Sequence, residues 1–204
     1  MIEYIEKKFI QKDSVEKRDY QINLASQAIS ENCIVVLPTG LGKTTIALHV
    51  ISEYLLKESG TILFLAPTRV LVNQHFDFLQ KNLTFDDIVL ITGEDSVEKR
   101  KTLWNSRIIC ATPEVARNDM NHNVVKPQQF NLVIFDEVHR TTGDYAYSSI
   151  AEHFENSSTR ILGMTATLPS EQEKATEILT RLQISVVAER NESSPDVKPY
   201  IQET

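Results

Sequence analysis

Residues 37–45 read Leu-Pro-Thr-Gly-Leu-Gly-Lys-Thr-Thr. Glycines at 40 and 42 let the backbone turn tightly, so that successive N–H groups can face one anion. Helical spacing begins near Lys43, which brings the positive end of a helix to the same point. Lys43 can reach the β- and γ-phosphates of a nucleotide, and the Thr44 hydroxyl is a hard oxygen ligand for Mg²⁺. A turn that only capped a helix would not need this Lys-Thr pair. The segment therefore reads as a phosphate cradle made by Pro38, Thr39, Gly40, Leu41, Gly42, Lys43, Thr44 and Thr45. The general pattern G-x-x-x-x-G-K-[ST] places glycine where this chain has Leu37, so the strict form fails at one position.

A second constellation follows the apolar run Asn-Leu-Val-Ile-Phe at 131–135, which ends in Asp136-Glu137-Val138-His139. A carboxylate at the end of a buried apolar strand is unfavourable unless it meets a cation. Asp136 is thus expected to hold Mg²⁺ together with Thr44, directly or through water. Glu137 is expected to orient and deprotonate an attacking water. The expected catalytic set is Lys43, Asp136 and Glu137. His139 is expected to link the nucleotide to an opposing surface. A lone D-E-x-H says little; paired with Lys43–Thr44 at the end of another strand in the same predicted sheet, it becomes strong evidence for a nucleotide and metal site.

These residues need strands to present them. Short β-branched runs occur at 33–37, 61–66, 87–92, 107–111, 131–135, 160–164 and 184–188, separated by longer segments of helical spacing. Continuous apolar strands alternating with helices predict an α/β fold: a mostly parallel sheet of about seven strands, with helices on both faces. Ligands of such sheets bind at the carboxyl ends of the strands, which is where both constellations fall.

Residues 1–30 read as helical, with Asp13 and Glu16 spaced as in a capping box. The hexapeptide Asp-Ser-Val-Glu-Lys-Arg at 13–18 recurs at 95–100, and both copies read as helix starts. The domain proper is expected over 31–190. The polar tail 191–204, with Pro195 and Pro199, reads as an extended linker leaving it.

Cys33 and Cys110 lie inside apolar runs and read as buried reduced thiols, with no zinc-ligand spacing. No apolar run approaches the ~18–20 residues of a membrane span. The first residues lack the apolar core of a signal peptide, so no membrane role and a cytoplasmic location are expected. The net charge of −7 argues against non-specific coating of nucleic acid, though not against local contacts through N–H groups and hydroxyls.

With these motifs in view, the chain resembles superfamily 2 helicases of the DExH type, whose members tolerate residues other than glycine at the Leu37 position. The resemblance implies the RecA-like P-loop NTPase lobe. It makes Gln21, in Arg18-Asp19-Tyr20-Gln21, the reader of adenine, with Arg18 beside it. Ala66-Pro67-Thr68-Arg69 with Gln74, Thr92-Gly93, and Thr112-Pro113-Glu114 resemble the motifs that touch nucleic acid, and Thr165-Ala166-Thr167 resembles the motif that couples hydrolysis to it. Hydroxyls and helix N-termini at 67–69 and 112–114 hold phosphates without reading bases.

Within that group the chain is similar to the archaeal Hef family, relatives of the Fanconi anaemia M translocase. The carrying residues are 37–44, Phe-Asp-Glu-Val-His-Arg at 135–140, Gly-Asp-Tyr-Ala-Tyr at 143–147, and Ser-Pro-Asp-Val-Lys-Pro-Tyr at 194–200. This resemblance implies ATP-driven remodelling of forked or branched DNA, with a second RecA-like lobe following. Two alternatives stay open: an RNA-directed ATPase akin to double-stranded-RNA sensors, and a module that binds ATP or a partner without turnover.

Overall fold

A computed structural model describes residues 1–57, 59–141 and 146–201. Seven strands are found where the apolar runs predict them: β1 (Cys33–Val36), β2 (Thr61–Leu65), β3 (Ile88–Ile91), β4 (Ile108–Ala111), β5 (Phe130–Asp136), β6 (Arg160–Thr165) and β7 (Val186–Glu189). They form one sheet in the order β3-β4-β2-β5-β6-β1-β7, and every pairing is parallel.

Period-2 alternation sends each strand's side chains to two cores. Cys33 and Val35 join one cluster, and Ile34 and Val36 the other. Helices α1 (Asp19–Ser30), α2 (Lys43–Lys57) and α3 (Arg69–Asn82) fill the first cluster with Leu24, Ile46, Ile51, Val72 and Leu79. After α4 (Val97–Leu103), the helices α5 (Pro113–Asn121), α6 (Ala146–Glu152) and α7 (Gln172–Arg181) fill the second with Ala116, Met120, Ile150 and Ile178. Both faces are thus covered, which is why the strands are apolar throughout and not alternating. Trp104 packs in this second core, where its Nε1 donates to Asp119 at 2.8 Å. Cys33 and Cys110 are buried free thiols, their pKa values pushed up by burial to about 11 and about 12.

Three expectations need correction. Residues 1–18 are not helical; the first helix begins at Asp19. Tyr4 pairs with Glu16 in an isolated antiparallel bridge, and Ile10 with Leu83. Ile5 N–H donates to the Val15 carbonyl at 2.9 Å, which buries Val15. Asp13 has φ +56 and caps nothing. The copy at 95–100 does start a helix, with the Ser96 hydroxyl accepting from Lys99 N–H at 3.2 Å. One hexapeptide thus takes two conformations, because its local preference is worth less than the burial of Val15 in one setting. In the other setting Val97 is exposed.

The tail also differs from expectation over its described part. Residues 191–201 fold back in turns and a 3-10 turn at Lys198–Tyr200. Val197 is fully buried, Arg190 pairs with Asp196 at 3.0 Å, and the Tyr200 ring lies 5.7 Å from that of Tyr20. Residues 202–204 of the expected linker lie outside the described residues, as do 143–145 of the Gly-Asp-Tyr-Ala-Tyr block.

Candidate active site

Sheet register levels the strand ends. Val36 pairs with Thr165, and Asp136 with Met164 one residue earlier on the same strand β6. The loops after β1, β5 and β6 therefore emerge side by side, about 5 Å apart per strand. In the other half of the sheet, Leu65 pairs with Ala111, and Ala111 with Ile91. The loops after β2, β4 and β3 are level in the same way. Most of the residues singled out in the sequence fall into these two halves of one edge; Arg18 and Gln21 come from α1 and its start, and Gln74 from farther along α3.

In the first half, Gly40 and Gly42 adopt φ +88 and +93, the left-handed backbone that the tight loop requires. The loop is anchored by Leu37 N–H donating to the Thr165 carbonyl at 3.0 Å. It is held from behind by α1: the Tyr20 hydroxyl donates to the Leu41 carbonyl at 2.7 Å, and Gln21 Nε2 donates to the same oxygen at 3.0 Å. A Cβ at position 42 would lie 2.2 Å from Gln21 Nε2, so a side chain there would have to push the Gln21 amide off the Leu41 carbonyl, in addition to the backbone strain at φ +93. Gln21 Oε1 is buried and meets no hydrogen-bond partner among the described residues. Gln21 lines a pocket of about 210 Å³ together with Val15, Glu16, Arg18, Gly40, Gly42 and Thr45. Arg18 forms part of that wall, paired with Glu16 at 3.1 Å and with its guanidinium 5.2 Å from the Tyr200 ring centre. Larger concavities of 590 Å³ along α7 and 650 Å³ at the amino ends of β2, β5 and β6 hold none of the residues singled out above.

Lys43 opens α2 and folds over its own loop, donating from Nζ to the Leu37 carbonyl at 2.8 Å. Burial pushes its pKa down, opposed by the negative charges of Asp136 and Glu137. Thr44 and Thr45 follow on the first turn of the helix and are half-buried.

Asp136 is 5% exposed. Its Oδ1 accepts from Glu137 N–H at 2.9 Å, and its Oδ2 lies 2.7 Å from His75 Nε2. The Tyr147 hydroxyl donates to the Asp136 main-chain carbonyl at 2.6 Å. Glu137 has φ +59, an unfavourable backbone for a residue with a Cβ, and strain of this kind concentrates at functional sites. His139 Nε2 is 3.4 Å from Glu137 Oε2, and His139 Nδ1 is 3.4 Å from Thr165 Oγ1. The Thr165 hydroxyl donates in turn to the Thr167 carbonyl at 2.8 Å. A chain of contacts thus runs from the Glu137 carboxylate to the loop after β6.

In the second half, α3 and α5 start directly after β2 and β4. Thr68 caps α3 by accepting from Leu71 N–H at 3.3 Å; Thr112 precedes Pro113, the first residue of α5, and makes no such bond. Thr68, Arg69, Gly93 and Glu114 are exposed, whereas Pro67, Thr112 and Pro113 are buried and Thr92 is half-buried. Arg69 pairs with Glu94 at 2.8 Å, which joins the loop after β2 to the loop after β3. Gln74 is exposed farther along α3, away from the strand ends.

Sequence reading missed His75, Tyr20 and Tyr200 as parts of this site. For His75 a signal was present. Val72, His75, Leu79 and Asn82 form the buried stripe of α3, and a histidine within an apolar stripe needs a partner. Tyr200 gives no such signal, because only the folding back of the tail brings it to Arg18.

The profile of the DEAD/DEAH box helicase family matches residues 18–175, more than half of the 204. The chain belongs to this family. Among solved structures, the helicase domain of Pyrococcus furiosus Hef superposes with a TM-score of 0.92 at 36% identity, over 96% of this chain and 43% of that one. The sheet and its helices are therefore the RecA-like fold of a helicase lobe. Among curated relatives, MJ1505 of Methanocaldococcus jannaschii, provisionally named an ATP-dependent RNA helicase, is 41% identical over 97% of this chain and 26% of its own length. The ATP-dependent DNA helicase MPH1 of Saccharomyces cerevisiae is 35% identical over 95% of this chain and 20% of its own. The chain spans about a quarter or less of these two helicases. Among the described residues, no helix is long and apolar enough to cross a membrane.

Proposed function

We propose that this chain is the ATP-binding lobe of a helicase or translocase that acts on forked or branched DNA, gripped through its phosphates. One observation carries the reading: the two halves of a single sheet edge present a phosphate loop with a carboxylate pair, and exposed helix starts beside them. ATP and nucleic acid would then lie on adjacent strand ends.

The residues fit both small ligands. The unpartnered Gln21 Oε1 can accept the adenine amino group while Arg18 lies against the base. Residues 38–45 surround the phosphates, and Lys43 leaves the Leu37 carbonyl to meet them. Thr44 and Asp136 offer the two hard oxygens that suffice for Mg²⁺, which keeps several waters and takes its other ligands from phosphates. Mg²⁺ supplies charge neutralisation at the phosphates when bound. Glu137 orients the attacking water and takes its proton. His139, Thr165 and Thr167 link that carboxylate to the surface a second lobe would occupy. Thr68, Arg69, Thr92, Gly93, Thr112 and Glu114 meet the nucleic-acid backbone; Pro67 and Pro113 act by setting the turns, and Gln74 from farther along α3.

The DNA reading is supported by the likeness to MPH1 and to Hef together with the block at 194–200. The name of MJ1505 favours RNA, and none of the proposed phosphate contacts separates the two. ATPase assays on a protein carrying both lobes separate them. Stimulation by forked DNA is expected, and stimulation by double-stranded RNA alone would overturn the DNA reading. In the same protein, Glu137→Gln should abolish hydrolysis with nucleotide binding retained, whereas Lys43→Ala should weaken binding itself. Equal activity of both variants with the parent would mean that the site is misassigned.

A further inference from the structure

We propose that His75 is a positioning residue for the Asp136 carboxylate, fixing the rotamer in which Asp136 can hold Mg²⁺. The inference rests on the reading of Asp136 as the magnesium carboxylate and adds a residue that neither motif contains. Asp136 is almost fully buried, and each of its two oxygens is met by a separate partner: Oδ1 by Glu137 N–H at 2.9 Å, Oδ2 by His75 Nε2 at 2.7 Å. A carboxylate can only accept, so Nε2 carries the proton. The Lys43 ammonium is engaged with the Leu37 carbonyl at 2.8 Å. Among the described residues His75 is therefore the one side chain that donates to the Asp136 carboxylate, the Tyr147 hydroxyl being bonded to the main-chain carbonyl.

The histidine is itself fixed. It is 8% exposed, and its ring stacks on Phe64 of β2 with centroids 4.5 Å apart and planes 23° apart. A buried ring held on one face by this stack has little freedom to follow a wandering carboxylate, so the carboxylate conforms to the ring. Each Asp136 oxygen keeps a further lone pair for the metal or its water. A histidine that merely filled the core would need no carboxylate 2.7 Å away, and Phe or Leu would serve the stripe of α3 equally.

Binding of methylanthraniloyl-ADP to this chain, titrated with Mg²⁺ and again with a chelator, isolates the gain in affinity that the metal provides. His75→Phe keeps the stack on Phe64 and removes the donor. Its Mg²⁺-dependent gain should fall about 10-fold or more, in line with other partners that orient metal ligands. Chelator-state affinity should stay within about 2-fold of the parent, since one phosphate-loop contact fewer would already cost more. His75→Gln, whose Nε2 can reach the same oxygen, should recover most of the gain, and His75→Asn, which is too short, should not. If His75→Phe fails to fold, the Gln and Asn pair carries the test. A gain unchanged in the donor-less variants would overturn the proposal. Asp136→Asn separates this failure from a deeper one: if it too keeps the full gain, the magnesium reading of Asp136 falls, and if it loses the gain while His75→Phe does not, only the role of His75 falls.

Discussion

Gly42 and Gly40 share a left-handed backbone but differ in what surrounds them. An alanine at either position meets the backbone penalty of about 1–2 kcal/mol. At 42 its Cβ would also lie 2.2 Å from Gln21 Nε2, whereas at 40 nothing lies within 4 Å. Gly42→Ala is therefore expected to lower both the melting temperature and nucleotide affinity by more than Gly40→Ala. Equal losses in a paired melt and binding assay would mean that α1 does not brace the loop. His49 makes a separate claim on stability. It is 3% exposed, and burial, helped by the Lys7 ammonium and opposed by Glu53, pushes its pKa from 6.5 down to about 4. The unfolded chain then takes up this proton first as the pH falls. The contribution is complete above about 6.5 and is lost between there and about 4, a swing on the order of 3 kcal/mol. His49→Leu should flatten the decline in melting temperature across that window, and an unchanged slope would mean that other groups set the acid limb.

Among the elements, the two copies of Asp-Ser-Val-Glu-Lys-Arg allow a comparison with sequence held constant. At 95–100 the Ser96 hydroxyl caps α4; at 13–18 the Ser14 hydroxyl donates to the Gln11 carbonyl in an exposed turn. Ser96→Ala should cost about 1 kcal/mol, the usual value of an N-cap. Ser14→Ala should stay within about 0.5 kcal/mol, as is usual for exposed positions. Urea denaturation of the two variants measures both, and equal losses would contradict the assignment of one cap and one turn. The capping pattern was legible in both copies, yet only one is a cap. The difference arises from Ile5 and Lys17, whose N–H groups bond across to the Val15 and Glu3 carbonyls and hold 13–18 in an extended path. Helix α3 illustrates the opposite case. Its start after β2 was readable from Pro67-Thr68-Arg69, but that it also carries His75 to Asp136 depends on which strand lies beside β2.

Across the whole molecule, the sheet has a divided edge: the residues proposed to bind nucleotide over β5, β6 and β1, and exposed helix starts over β3, β4 and β2. The edge faces outward, and each half presents one wall of a site. The 204-residue polypeptide is accordingly expected to bind ATP weakly and hydrolyse it slowly, because an arginine from an opposing surface is worth roughly 10³–10⁵ in rate in related NTPases. Adding a second RecA-like lobe in cis should restore turnover. Robust unwinding by the polypeptide alone would overturn this.

The tight loop before Lys43, the carboxylates at the end of β5 and all seven strands were determined by sequence alone, because each rests on local chemistry: glycine at positive φ, a Lys-Thr pair at a helix start, apolar runs ending in charge. What only the tertiary structure decided are the contacts that cross strands. Register places Asp136, Thr165 and the loop after β1 at one level, the order β2-β5 brings His75 to Asp136, and the returning tail sets Tyr200 against Arg18. Each depends on pairing between segments distant in the chain, where burial outweighs the local preferences that a linear sequence displays.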